Sequence, residues 1–267
     1  MSERLTSTMA REYRENTLEA WQRGVERAIH LMCDKFGESL DIDKMAEAAF
    51  MSRNHFSRVF AKVTSVSPAR FLAAIRLQAA KRLLLKTDRS VTEISLDVGY
   101  NSLGTFTRIF TDFVGFPPLC FRHLSRALLT VTVDDVARML RSESRVENVP
   151  SITGEVFCDS PLALITAALF PTAVPRSRPL DCVCLTDTRR FSFVRHSMPQ
   201  GRIFAVGMRP GISFEDVILG NHAHLHVGTA LTARDATGDV NLYLRRLQPF
   251  DPPLVLAFPL ILAQNHL

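Results

Sequence analysis

Wound as a helix at about 100° per residue, the segment around position 58 separates into two faces. Phe56, Val59, Phe60 and Val63 fall on one side, and Asn54, Ser57, Arg58 and Ala61 on the other. Fifty positions later the division recurs, with Phe106, Ile109, Phe110 and Phe113 apolar and Gly104, Thr107, Arg108 and Thr111 polar or small. The recurrence extends to the surrounding letters. Phe50-Met51-Ser52-Arg53-Asn54-His55-Phe56-Ser57-Arg58-Val59-Phe60 reappears as Tyr100-Asn101-Ser102-Leu103-Gly104-Thr105-Phe106-Thr107-Arg108-Ile109-Phe110, and Pro68 and Phe71 pair with Pro118 and Phe121. Two copies make a duplicated module, not a solenoid. Before each copy lies a shorter helical pattern, Ile42, Met45, Ala46 and Ala49 in the first and Ile94 and Val98 in the second. Ser52 and Ser102 stand where a hydroxyl caps a helix start. Each unit is therefore expected to be helix, tight turn, helix. In that architecture the second helix buries one face and offers the other to the major groove of DNA.

The rest of the first half fits around these units. After a polar leader over residues 1–16, Leu18, Trp21, Val25, Ile29, Met32 and Phe36 recur at helical spacing, and Gly37 marks a stop. Pro68 opens a helix to Lys86, its missing amide proton harmless in a first turn. At 1.5 Å per residue that helix spans about 28 Å, close to the roughly 34 Å turn of a duplex. Charge is unevenly spread: residues 1–128 hold 19 Lys and Arg against 14 Asp and Glu, and residues 129–267 hold 13 against 13. Between Glu47 and Asp88 stand Arg53, Arg58, Lys62, Arg70, Arg76, Lys81, Arg82 and Lys86 without one acid. Such a stretch suits a phosphate backbone.

The second half has another texture. Thr132 caps a short helix with Val133, Val136 and Leu140 on one side, and a polar linker completes residues 129–150. From 151 to 267 short apolar runs alternate with turn residues, at 152–158, 162–170, 181–185, 191–194, 203–208, 217–219, 223–227, 240–245 and 254–258. That rhythm predicts an all-β sandwich. The expected fold is thus multidomain: an all-α double helix-turn-helix domain over 17–128, then an all-β sandwich domain, each half with its own core. Neither a signal-peptide pattern nor an apolar run of membrane-spanning length is present, so a cytoplasmic location and no membrane partner are expected. Cys33, Cys120, Cys158, Cys182 and Cys184 are odd in number and lack a CxxC pair, which argues for small buried hydrophobes over a disulfide framework or zinc finger.

The first half resembles the AraC/XylS family of bacterial transcription regulators from about Val25 to His123. Its most specific part is Ile94-Ser95-Leu96-Asp97-Val98-Gly99-Tyr100-Asn101-Ser102, then Phe106-Thr107-Arg108-Ile109-Phe110, then Gly115-Phe116-Pro117-Pro118-Leu119-Cys120-Phe121-Arg122. The resemblance places Asn54, Ser57 and Arg58, and Leu103, Gly104, Thr107 and Arg108, on the groove-facing sides of the recognition helices. Arg58 and Arg108 suit guanine edges or phosphate, and Ser57 and Thr107 either. Arg53, His55, Lys62 and Thr105 are the phosphate candidates. Two departures matter. Ser65 replaces the Gly usual after the first recognition helix, and Leu103 with Gly104 replace long polar side chains, so the second module is expected to read fewer bases.

In the second half, Phe191-Ser192-Phe193-Val194 followed by Pro199 to Val206 resembles carboxypeptidase-regulatory, transthyretin-like sandwiches, with Arg190 where a Gly is usual. His222, His224 and His226 alternate with apolar residues; on a strand they share one face, which suits either a metal ion or plain solvent exposure. A DNA-repair alkyltransferase is the enzymatic rival, but its Pro-Cys-His-Arg motif is absent, so no catalytic residue and no cofactor is expected. The expected function is sequence-specific transcriptional regulation through two recognition helices, with the β domain sensing an effector or serving as a docking and oligomerisation module. Double-stranded DNA and RNA polymerase are the expected partners, with a small-molecule effector and a homodimer mate as further candidates.

Overall fold

The computed structural model describes residues 2–140, 151–171, 179–194, 201–220, 224–232, 240–255 and 257. Eight helices come first: α1 (Ser2–Lys35), α2 (Ile42–Ala48), α3 (Arg53–Thr64), α4 (Pro68–Lys86), α5 (Val91–Asp97), α6 (Leu103–Val114), α7 (Pro118–Ala127) and α8 (Val133–Leu140). There follow β1 (Ser151–Phe157), β2 (Leu164–Phe170), β3 (Asp181–Leu185), β4 (Arg190–Val194), β5 (Gly201–Met208), α9 (Phe214–Ile218), β6 (Leu225–Thr232), β7 (Val240–Tyr243) and β8 (Arg245–Arg246). Helix α1 begins at Ser2, so the backbone of the leader is helical.

The first module has a core of its own. Val25, Ala28 and Met32 of α1, Met45 and Ala46 of α2, Phe56, Val59 and Phe60 of α3 and Phe71, Leu72 and Ile75 of α4 form one buried cluster. Phe56, Phe60 and Phe71 meet edge to face at 5.3 and 5.5 Å, the geometry aromatic quadrupoles favour. The second module repeats this chain with Tyr100, Phe106, Phe110 and Phe121 at 5.4 to 5.6 Å.

Among the described residues the β half holds a three-stranded sheet in the order β4-β1-β7, with β1 and β7 parallel, and a five-stranded sheet in the order β3-β2-β5-β6-β8. Cross-strand partners share a face, so the register separates the larger sheet's two sides. Ile165, Ala167, Leu169, Ile203 and Ala205 face the smaller sheet, where they meet Val156, Phe191, Phe193 and Leu242. Leu164, Ala168, Phe170, Val206, Met208, Leu225 and Val227 lie on the other side and join Phe106, Phe110, Phe116 and Phe121 in one continuous core. The packing therefore does not divide where the composition changes. The second module is built onto the sheet, and β2, buried at all seven positions, is the strand between two layers.

Two expected strands take other forms. Residues 217–219 belong to the end of α9, because Ser213 Oγ accepts from Asp216 N at 3.1 Å and Phe214, Val217 and Ile218 bury one helical stripe. Leu254 and Val255 run without strand pairing along the helical half, and Ala257 N donates to Val114 O at 3.1 Å; Leu256 and Phe258 lie outside the described residues. Helix α8 forms as expected, with Thr132 Oγ1 accepting from Asp135 N and Asp135 Oδ2 accepting from Thr132 N.

Candidate nucleic-acid interface

Both recognition helices form where the repeat places them, but their approaches differ. In the first module the chain turns through Phe50 at φ 56°, and Met51 N donates to Ala46 O at 2.9 Å. In the second it turns through Gly99 at φ 84°, and Tyr100 N donates to Ser95 O at 2.9 Å. The structural mate of Phe50 is therefore Gly99 rather than Tyr100. The first helices match at an offset of 49 and the recognition helices at 50, so the second turn carries one extra residue. Capping differs as well. Ser102 Oγ accepts from Thr105 N at 3.3 Å and contacts Thr105 Oγ1 at 2.9 Å, whereas Ser52 makes no side-chain cap. His55 stands at the position of Thr105 and has no hydroxyl to complete the pair.

On α3, Asn54 and Arg58 are exposed; Arg58 Nε donates to Asn54 O at 3.4 Å and Ser57 Oγ to Arg53 O at 3.0 Å. On α6, Leu103, Gly104, Thr105 and Arg108 are exposed, Thr107 is half-buried, and Arg108 lies 3.9 Å from Asp112. A Cβ at Gly104 would meet nothing within 4 Å, so the surface there is open as well as featureless. Arg53 makes an exposed 3.5 Å contact with Asp43, a pair of the kind that contributes little to stability and yields readily to a phosphate. His55 and Lys62 lean against α1, the His55 ring edge-on to Trp21 at 6.1 Å and Lys62 Nζ 4.8 Å above the same ring. Periodicity marked Trp21 only as part of the α1 stripe; its role as a platform for two of the expected phosphate contacts was not visible in the sequence.

Three members of the acid-free basic run belong to the scaffold. Arg76 donates to Phe36 O at 2.8 Å and Glu38 O at 2.9 Å, tying α4 to the end of α1, and lies 5.6 Å from the Tyr100 ring. Lys86 pairs with Glu215 of α9. Lys81 is fully buried, with Nζ 3.4 Å from both Gln78 Oε1 and Leu254 O and 6.0 Å from the Phe121 ring. Burial, with a smaller push from Arg82, lowers its ammonium to about 7. The helix ends are tied too: Arg122 donates to Leu84 O and Arg89 O at 3.1 and 2.6 Å, and Arg126 to Thr87 O at 2.8 Å.

The histidine alternation also changes. His226 is buried beside Leu225 and Val227, because the strand carrying it is covered on both sides. Burial, with Arg246 and Arg209, lowers its pKa, and Nδ1 has no acceptor or donor among the described residues. His222 lies outside the described residues, and among those described no group of three metal-ligating side chains comes together. Cys33 is exposed, while Cys120, Cys158, Cys182 and Cys184 are partly buried against the cores. No described helix is long and apolar enough to cross a membrane.

Two helix-turn-helix units joined by one continuous helix define the class: a double helix-turn-helix DNA-binding fold. Residues 45–124 match the family described as a helix-turn-helix domain. Over 81 residues the chain is 41% identical to an uncharacterized HTH-type transcriptional regulator of Haemophilus influenzae, covering 30% of this chain and 27% of that protein. Over 122 residues it is 25% identical to the melibiose operon regulatory protein of Escherichia coli K12, covering 46% and 40%. It is also similar to the structure of a transcriptional regulator from Chromobacterium violaceum, described as an AraC-type DNA-binding domain-containing protein, at 27% identity and a TM-score of 0.38 over 40% of this chain and 94% of that one. The chain thus spans between about a quarter and two fifths of these curated relatives. The segment from 45 to 124 is a helix-turn-helix domain, similar to those of bacterial transcriptional regulators.

Proposed function

We propose that the whole chain is a cytoplasmic, sequence-specific transcriptional regulator in which 17–128 reads DNA and 151–267 senses an effector or docks a partner. The observation that carries this reading is the pair of exposed faces, Asn54 with Arg58 and Leu103 with Arg108, held at the two ends of the 19-residue α4. At 1.5 Å per residue α4 is about 28 Å long, which suits successive major grooves on one side of a duplex. In this role Arg58 and Arg108 meet base edges, Asn54, Ser57 and Thr107 support them, and Arg53, His55, Lys62 and Thr105 meet phosphates. RNA polymerase is the proposed partner at the promoter, and a second copy of the chain is the proposed mate at a paired site. Footprinting of the full chain over neighbouring promoters tests the reading: two protected patches about one helical turn apart are expected. A single protected patch, or binding indifferent to sequence, rejects it.

A further inference from the structure

A cleft of about 940 Å³ opens between the first module and the outward face of the five-stranded sheet, within the size range of small-molecule sites. Its walls come from both halves. Lys62 to Val66 and Arg70 contribute from the end of α3 and the start of α4, Phe113 from α6, Arg202, Phe204, Val227 and Thr229 from β5 and β6, and residues 243–255 close one side. The chemistry of the lining is uneven. Phe113, Phe204, Val227, Leu247, Leu254 and Val255 give it an apolar body. Its charged groups are Lys62, Arg70, Arg202 and Arg245 against the single carboxylate of Asp251. Arg245 spends its charge on that carboxylate through two hydrogen bonds of 2.6 and 2.8 Å. Arg202 differs: its Nε is buried and meets no acceptor among the described residues. A buried guanidinium N–H without an acceptor is costly, and Arg202 lines the cleft, where a carboxylate is the group whose planar geometry best matches a guanidinium. The register places Arg202 opposite Phe170 and Leu231, on the same side of β5 as Phe204, so the cation and the apolar wall belong to one surface.

We infer that this cleft binds a small organic acid, its carboxylate on Arg202 and its aromatic or branched aliphatic body against Phe204, Val227 and Phe113. The inference rests on the effector-sensing form of the proposed function and gives the effector a chemical class and a place. Because one wall is the end of α3 and the other is the sheet to which the second module is bound, an occupant sets the spacing of the two recognition helices. Ligand and DNA affinities are then coupled, each changing the other by the same factor.

The test uses the full chain, with phenylacetate, cyclohexanecarboxylate and hexanoate as probes and phenylacetamide as the uncharged control. At about 10 mM, at least one acid is expected to raise the melting temperature by about 2 °C or more while phenylacetamide does not, since a ligand of the native state stabilises by mass action. Arg202→Met is expected to abolish the shift. Should that variant fold poorly, Thr229→Trp, which fills the cleft from an exposed strand position, is expected to do the same. No shift with any acid, an equal shift with the amide, or a shift that survives both substitutions overturns the inference. The double variant Arg58→Ala, Arg108→Ala separates the two ideas. Loss of DNA binding with the acid shift intact supports both, and an acid shift in a wild-type chain that binds no DNA sequence selectively sinks the regulatory reading while leaving the cleft assigned.

Discussion

The two helix-turn-helix modules share a fold and a chain of close-packed aromatics, yet they are anchored differently. The first closes its core with α1 and the start of α4, while the second shares its core with a β-sheet more than forty residues further along the chain. The module recurs, but what each copy is packed against differs. The first copy retains polar reach on its outer face and tolerates two left-handed residues that are not glycine, Phe50 and Ser65. The second has Gly99 and Gly115 at the corresponding turns and a plainer outer face.

The largest effects should come from core truncation. Phe56→Ala and Phe106→Ala each remove a fully buried ring and are expected to cost about 3 to 5 kcal/mol. Denaturant unfolding followed by amide hydrogen exchange distinguishes them: Phe56→Ala should release protection in the first module alone, and Phe106→Ala in the second module and the sheet together. Identical exchange patterns would remove the distinction. Lys81 sharpens the same contrast, because it sits where α4 meets the C-terminal segment. Its folded pKa of about 7 lies below the ordinary lysine value, so from about pH 7 to pH 10 the unfolded chain holds a proton that the folded chain has lost. Stability should rise with pH across that window. Lys81→Met should flatten the rise and stabilise the protein near neutrality by about 3 kcal/mol, a change readable in urea midpoints at about pH 7 and pH 10.

Smaller effects belong to the outer faces and turns. Arg58→Ala should cost about 1 to 3 kcal/mol of operator binding and relax one base position. Arg108→Ala should cost less, since Arg108 lies near Asp112 and stands beside Leu103 and Gly104, which add no hydrogen bonds to bases. Titration on operator and scrambled duplexes checks both, and equal losses on the two duplexes would make these arginines phosphate contacts. Last, Ser65→Gly should stabilise the first module by about 1 kcal/mol and Gly115→Ser should destabilise the second by a similar amount, because both positions are left-handed at φ 62° and 92°. Thermal melts of the two variants decide the matter by sign.

Much of this was legible because the copies test one another. Phe56 against Phe106, Arg58 against Arg108 and Ser65 against Gly115 fix the helices, the exposed faces and a turn that only φ > 0 can make. Less legible was anything set by a neighbour distant in sequence. Arg76, Lys81 and Lys86 read as part of a stretch suited to a phosphate backbone, yet Arg76 and Lys81 are held by the carbonyls of Phe36 and Leu254, and Lys86, though exposed, pairs with Glu215. The run at 217–219 read as strand because three apolar letters fit either period, and the capping hydroxyl of Ser213 settled it. The burial of His226 required knowing that the sheet is covered on both sides, which alternation along one strand cannot reveal.

The contact of Trp21 with His55 and Lys62 has an optical consequence. The chain has one tryptophan, and its indole lies against His55 and Lys62 of the first recognition helix. Its emission is therefore a label-free reporter on α3: a change during a DNA titration records engagement of the first groove, while the second module contributes only tyrosine and phenylalanine and stays silent at red-edge excitation.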